Sequence, residues 1–168
     1  MSKKDPSVLI NLRDMVALPF LVAVVIPYFM YREGVALFRD QPVAAKVAGG
    51  VLFSCGLPLQ VYTMWLFKKY GQGTLAPWHP TQKLVIKGPY KYWRNPMITG
   101  VLLTLAGEGL FLNARPIFVW SVMFSIMNTA FFIFKEEPDM LERFGEPYAR
   151  YKKHVPRWIP NLRPYNED

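Results

Sequence analysis

Cysteine is almost missing from this chain. Cys55 is the single one, and it lies inside an apolar run, so an intramolecular disulfide is excluded and no thiolate-based metal site has support. It reads instead as a small buried residue. Histidine is nearly as scarce: His79 and His154 are the two present, too far apart for metal-ligand spacing, and no metal is expected. Acidic residues are few against basic ones, 12 Asp and Glu to 20 Lys and Arg, for a net charge of +8. Such an excess would suit nucleic acid, but no nucleic-acid motif is visible and the basic residues alternate with long apolar runs. Nucleic acid is therefore set aside as a partner. Basic flanks on the cytoplasmic side of a membrane account for the charge more simply. Internal repeats and low-complexity segments are also lacking.

What the chain has in quantity is apolar sequence, 52% of 168 residues, with 15% aromatic. The length fits one domain, residues 1–168. The mean hydropathy of +0.11 averages very apolar blocks with very polar ones. The first block is the 17-residue uncharged run 15–31, at the short end of what crosses a bilayer. Pro19 and Pro27 are tolerable there, and a retained span is expected rather than a cleaved signal. The run 43–67 follows, 25 residues with one charge, Lys46, near enough to its end to reach the interface. Its Gly49, Gly50 and Gly56 permit close helix–helix approach. Runs 97–112 and 116–134 flank the short turn Asn113-Ala-Arg-Pro116, which predicts an antiparallel hairpin. The expected fold is thus all-α and polytopic, with about four transmembrane helices.

Basic residues orient this arrangement. With four spans, sixteen Lys and Arg from the arm 1–14, the central loop and the tail fall on one side, and four (Arg32, Arg39, Lys46, Arg115) on the other. That split predicts a multi-pass protein with both termini and the central loop cytoplasmic, in the inner membrane if the source is bacterial.

The central loop, 73–100, has a composition that an ordinary connector does not need. Pro77, Pro80, Pro89 and Pro96 prevent one continuous helix. Gly73, Gly88 and Gly100 allow tight turns and close backbone approach to a ligand. Trp78, Tyr90, Tyr92 and Trp93 offer aromatic faces, either to a ligand or as an interfacial belt. In the tail, 135–168, Pro138 suits the first turn of a helix capped by Glu136 and Glu137. Gly145 reads as its stop, and Pro147 as the start of a second short helix ending before Pro156. Met140, Leu141, Phe144, Tyr148, Tyr151 and Val155 recur at helical steps to make one apolar face, which lies on the membrane or covers the loop. Two polar clusters, the loop and Glu136-Glu137, then border one membrane face, where carboxylates need partners or a function. A cofactor with adenine, ribose and an amino-acid end suits that inventory. Glu108, inside the third run, either pairs with Lys46 or Arg115 or ends a shorter span. Arg94 has two readings, a substrate contact or a contact to lipid phosphates.

The run Leu84-Val85-x-x-Gly88-Pro89-Tyr90-x-x-x-Arg94-Asn95-Pro96-x-x-x-Gly100 resembles the cofactor motif of the isoprenylcysteine carboxyl methyltransferase family. Glu136-Glu137, Phe144-Gly145-Glu146-x-Tyr148-x-x-Tyr151 and Val155-Pro156-Arg157 resemble that family's C-terminal signature in order and spacing. Phospholipid N-methyltransferases share a similar layout. The resemblance covers about half the chain and implies S-adenosylmethionine (SAM) bound between the loop and the last span. By position it places Gln82, Lys83, Leu84, Val85, Tyr90, Asn95, Pro96, Met97, Ile98 and Glu136 around the cofactor, with Arg94 and Glu137 as candidates for positioning a substrate. It implies a lipidic or amphiphilic methyl acceptor reached from the bilayer, with a carboxylate, amine or thiol as nucleophile and no dedicated catalytic base. Eukaryotic members have His where Gln82 stands, and Arg-His-Pro in place of Arg94-Asn95-Pro96. The arginine that enzymes acting on prenylcysteine place four residues before the glutamate is Phe132 here, which removes a clamp for a substrate carboxylate. Competing expectations are an NADPH-dependent membrane reductase, since sterol reductases have a similar C-terminal half, and a non-catalytic membrane protein that binds lipid headgroups. The oligomeric state is left open.

Overall fold

A computed structural model describes residues 17–32, 34–71 and 82–166. The N-terminal arm 1–14, Gly73, Pro77, Trp78, His79 and Pro80 lie outside them. The described residues form helices and loops without a strand, as the apolar periodicity requires. We number the helices α1 (Ala17–Tyr31), α2 (Val43–Tyr70), α3 (Pro96–Phe111), α4 (Arg115–Phe144) and α5 (Glu146–His154). In addition, Gly88–Lys91 forms one 3₁₀ turn.

α2 and α4 are long and apolar enough to cross a membrane. Only 22% and 17% of their most apolar windows is buried inside the protein. The core helix of a soluble protein would hide that surface, so these side chains point to where lipid would lie. α1 and α3 are apolar but shorter. α3 is the central helix, with Gly100, Val101, Thr104, Leu105, Gly107 and Gly109 all buried.

Glycines make the α2–α3 contact. A Cβ on Gly56 would sit 2.6 Å from the Thr104 backbone nitrogen, and one on Gly107 would sit 2.6 Å from that of Phe53. Gly49 and Gly100 face backbone just as closely, so the two helices touch main chain to main chain. Gly100 therefore serves helix packing and not the approach of a ligand. Gly50 meets only the Phe111 ring, at 3.8 Å. Cys55 is exposed on the outer face of α2 and not buried as expected, because its neighbour Gly56 takes the packing side.

The hairpin turn is where the sequence places it. Asn113 adopts φ 52°, and its side chain brackets Phe38, accepting from that residue's N–H at 2.8 Å and donating to its carbonyl at 2.9 Å. This fastens the connector 34–42 beneath the α3–α4 turn. α1 docks on α4, where the Trp120 indole N–H donates to the Val22 carbonyl at 3.4 Å. Neither expected partner of Glu108 pairs with it among the described residues; Lys46 lies over the Phe111 ring instead.

The tail differs from its sequence reading in one respect. Pro138 does not open a separate helix, and neither Glu136 nor Glu137 caps one through its side chain. α4 instead runs on through a π turn, Phe132–Glu136, in which the Glu137 N–H reaches the Phe132 carbonyl. Proline lacks the N–H that an α turn would use and crowds the carbonyl one turn back. The wider π turn relieves both. Gly145, at φ 56°, then ends the helix, and Pro147 sits in the first turn of α5, as expected. α5 folds back over the loop. Tyr148, Tyr151 and Val155 bury against Ile86, with Leu84, Met140 and Phe144 packed around them. Leu141 is left out of that face, 44% exposed.

Candidate functional site

The loop segment 82–95 is built to hold its shape. Lys87 is extended, and Gly88, at φ 55°, turns the chain into the 3₁₀ turn, with Pro89 in its first positions. Tyr90 is buried there against Leu66 and Val85. The tail then pairs along the loop. Tyr151 Oη donates to the Tyr90 carbonyl at 2.6 Å, and the Arg94, Asn161 and Tyr165 N–H groups bond Pro156, Tyr92 and Lys91 carbonyls at 2.9 Å each. Burial raises the pKa of Tyr90 and of Tyr151, so both phenols stay protonated.

The apolar part of α4 ends at Phe134, and the charged headpiece begins beyond it. Its centre is Glu137, whose side chain is 5% exposed. Oε1 accepts from Arg94 Nη1 at 2.8 Å and from Arg157 Nε at 2.7 Å, while Oε2 meets Lys152 Nζ at 2.9 Å. Burial alone would raise the Glu137 pKa, but the hydrogen bonds from Arg157 and Lys152 and the Arg94 charge outweigh it and bring it down to about 2. Arg94 also donates through Nε to the Val155 carbonyl at 2.9 Å. Loop, α4, α5 and tail therefore meet at one carboxylate.

Beside this clasp lies a cavity of about 50 Å³ walled by Leu84, Val85, Tyr90 and Asn95 from the loop and by Phe67 of α2. Phe132, Glu136, Glu137 and Met140 of α4, Tyr148 and Tyr151 of α5 and Arg94 of the loop complete it. Glu136 has no hydrogen-bond or ion-pair partner among the described residues. Burial pushes its pKa up to about 7, with the Arg143 charge acting the other way. Adjacent positions on a helix point in different directions, and here Glu137 enters the clasp while Glu136 stands in the cavity wall.

Of the residues singled out by sequence, the cavity gathers Leu84, Val85, Tyr90, Arg94, Asn95, Glu136 and Glu137. It does not gather Gln82 and Lys83, which are exposed and bonded through their N–H groups to the Gly71 carbonyl. Nor does it gather Pro96, Met97 and Ile98, in the first turn of α3. Trp93 turns aside to donate to Thr99 Oγ1 at 3.1 Å. Sequence reasoning missed Phe67 and the partners of Glu137, Lys152 and Arg157. The Val155-Pro156-Arg157 run was the one available signal for the last.

A family model described as phospholipid methyltransferase matches residues 44–147, from α2 into the start of α5. The chain belongs to this family of membrane methyltransferases. It is also 35% identical over 80 residues to the protein-S-isoprenylcysteine O-methyltransferase of Schizosaccharomyces pombe. That match covers 46% of this chain and 33% of the yeast protein, so the chain spans about a third of that relative's length.

Proposed function

We propose that this chain transfers a methyl group from SAM to a lipidic or amphiphilic acceptor at the cytoplasmic face of a membrane. The observation that carries the reading is Glu136, a carboxylate without a partner among the described residues, in the wall of a cavity lined otherwise by apolar and aromatic side chains, Asn95 and the Arg94–Glu137 ion pair. This donor set fits SAM. The carboxylate suits its positive charge, Leu84 and Val85 suit an adenine face, and Asn95 both donates and accepts. The volume is smaller than the roughly 300–1,000 Å³ of small-molecule sites, so binding requires the walls to part. Gln82, Lys83, Pro96, Met97 and Ile98 lie next in sequence to the cavity residues and extend the proposed site.

When bound, SAM supplies an electrophilic methyl on a sulfonium. The protein's part is position and desolvation. Glu136 holds negative charge at its carboxylate, while Phe67, Phe132 and Met140 exclude water. Arg94 and Glu137 act by fixing the loop against the tail, since both oxygens of Glu137 are engaged within the protein. With Phe132 in place of a carboxylate clamp, an amine on a phospholipid headgroup is the favoured second reading of the acceptor. Family membership does not favour a dinucleotide reductase or a non-catalytic lipid binder. The same reading makes residues 1–168 one multi-pass domain, with spans 15–31, 43–67, 97–112 and 116–134, cytoplasmic termini and the headpiece 135–168.

Calorimetric titration of the purified chain with SAM tests this. The wild type should bind SAM and not NADPH. Affinity should rise as pH passes upward through about 7, because Glu136 is neutral below that value and ionised above it. Glu136→Gln should weaken binding on the order of tenfold and flatten the profile. Unchanged affinity in that variant overturns the assignment. Transfer of labelled methyl to a panel of lipid amines, thiols and prenylated carboxylates would then name the acceptor.

A further inference from the structure

Tyr148, Tyr151 and Val155 turn one face of α5 toward the loop. On its adjacent face, Pro147, Arg150 and His154 line a second and much larger space, an open groove of about 660 Å³. Its opposite wall is the returning tail, with Asn161, Arg163, Tyr165 and Asn166. The groove shares no residue with the candidate site and plays no part in the chemistry proposed above.

We propose that this groove binds a phosphate group, carried either by a lipid headgroup or by a soluble phosphate compound. Arg150 and Arg163 are its two charged donors. Neither guanidinium has an ion-pair or hydrogen-bond partner among the described residues, and no acidic side chain lines the groove. Each carries five N–H donors in a rigid fork that matches phosphate oxygens. Set on opposite walls, two such forks suit a tetrahedral anion that accepts from several directions. Asn166 adds a third donor: its Oδ1 accepts from Lys91 Nζ at 2.8 Å, which leaves its amide N–H groups unused.

A basic helix face is ordinarily just a solvated one, but here the second wall is built. The Asn161 and Tyr165 N–H groups bond Tyr92 and Lys91 carbonyls at 2.9 Å each, and Asn161 Nδ2 donates to the His154 carbonyl at 2.8 Å. The His154 ring stacks on Tyr165 with centroids 5.8 Å apart, and the ring is itself held by the Arg150 carbonyl at 2.8 Å from Nδ1. The backbones that carry the two arginines are thus held on a fixed floor, so binding has to order the guanidiniums but not the walls. The volume lies within the roughly 300–1,000 Å³ of small-molecule sites.

The test uses the full chain in neutral detergent at fixed ionic strength. It is titrated by calorimetry with short-chain phosphatidic acid, with inorganic phosphate and with short-chain diacylglycerol. Arg150→Gln with Arg163→Gln should weaken phosphate binding on the order of tenfold or more, while Lys87→Gln with Lys153→Gln, which removes equal charge outside the groove, should leave it unchanged. Both arginines are exposed, so equal melting temperatures are expected and would separate lost binding from lost folding. Saturable binding of phosphatidic acid without inorganic phosphate assigns the lipid source. Binding of both, in competition, assigns a soluble one. No saturable binding of either, an equal loss in the two double variants, or equal affinity for diacylglycerol overturns the proposal.

Discussion

Glu137 accepts from Arg94 and Arg157 at one oxygen and faces Lys152 at the other. Removing one member of a buried ionic group costs more than the group contributes, because the partners are left uncompensated. Glu137→Gln should therefore lower stability by on the order of 3 kcal/mol, read as a lower thermal midpoint in detergent. Its pH dependence has a definite sign. The folded pKa, about 2, lies below the ordinary 4.5. The stabilisation is thus complete above about 4.5 and is lost as pH falls toward 2. Acid titration of the wild type should show a loss of stability in that window which the Gln variant lacks. Sequence alone could mark Arg94 and Glu137 as unusual, but not that they bond each other. Nothing in local spacing reports a contact between a loop and a helix that lie so far apart in the chain.

At the scale of the element, two features deviate from a plain helix bundle. The first is the glycine seam of α2 and α3. Gly56→Ala should cost about 1–3 kcal/mol by forcing main chains apart, since its Cβ would meet Thr104 nitrogen at 2.6 Å and the Gly100 carbonyl at 2.7 Å. Gly50→Ala, with only a ring at 3.8 Å, should be neutral, and melting curves of the pair provide the comparison. The second is the π turn of α4. The apolar runs, the Asn113 turn, the Gly145 stop and α5 were all legible, because each depends on local periodicity or on φ. The π turn was not. Pro138 reads locally as a helix start, and only packing against the loop decides that the helix continues through a wider turn.

At the scale of the molecule, lipid-facing helices carry a headpiece on one end. The proposed orientation predicts the outcome of labelling with a membrane-impermeant maleimide in a Cys55→Ser background. Leu162→Cys, at a fully exposed tail position, should react only when the cytoplasmic face is open to reagent. Arg39→Cys, in the connector fastened to the α3–α4 turn, should react only from the opposite face. Labelling of both from one side would discard the four-span arrangement. The clasp at Glu137 also imposes an order of events during biosynthesis. Translation delivers Arg94 well before Glu137, Lys152 and Arg157, so the loop leaves the ribosome with its contacts to α2 available but without the clasp. The nascent helices can pair through their glycines first. The headpiece closes only afterwards, and the proposed methyl-transfer site is the last part of the protein to mature.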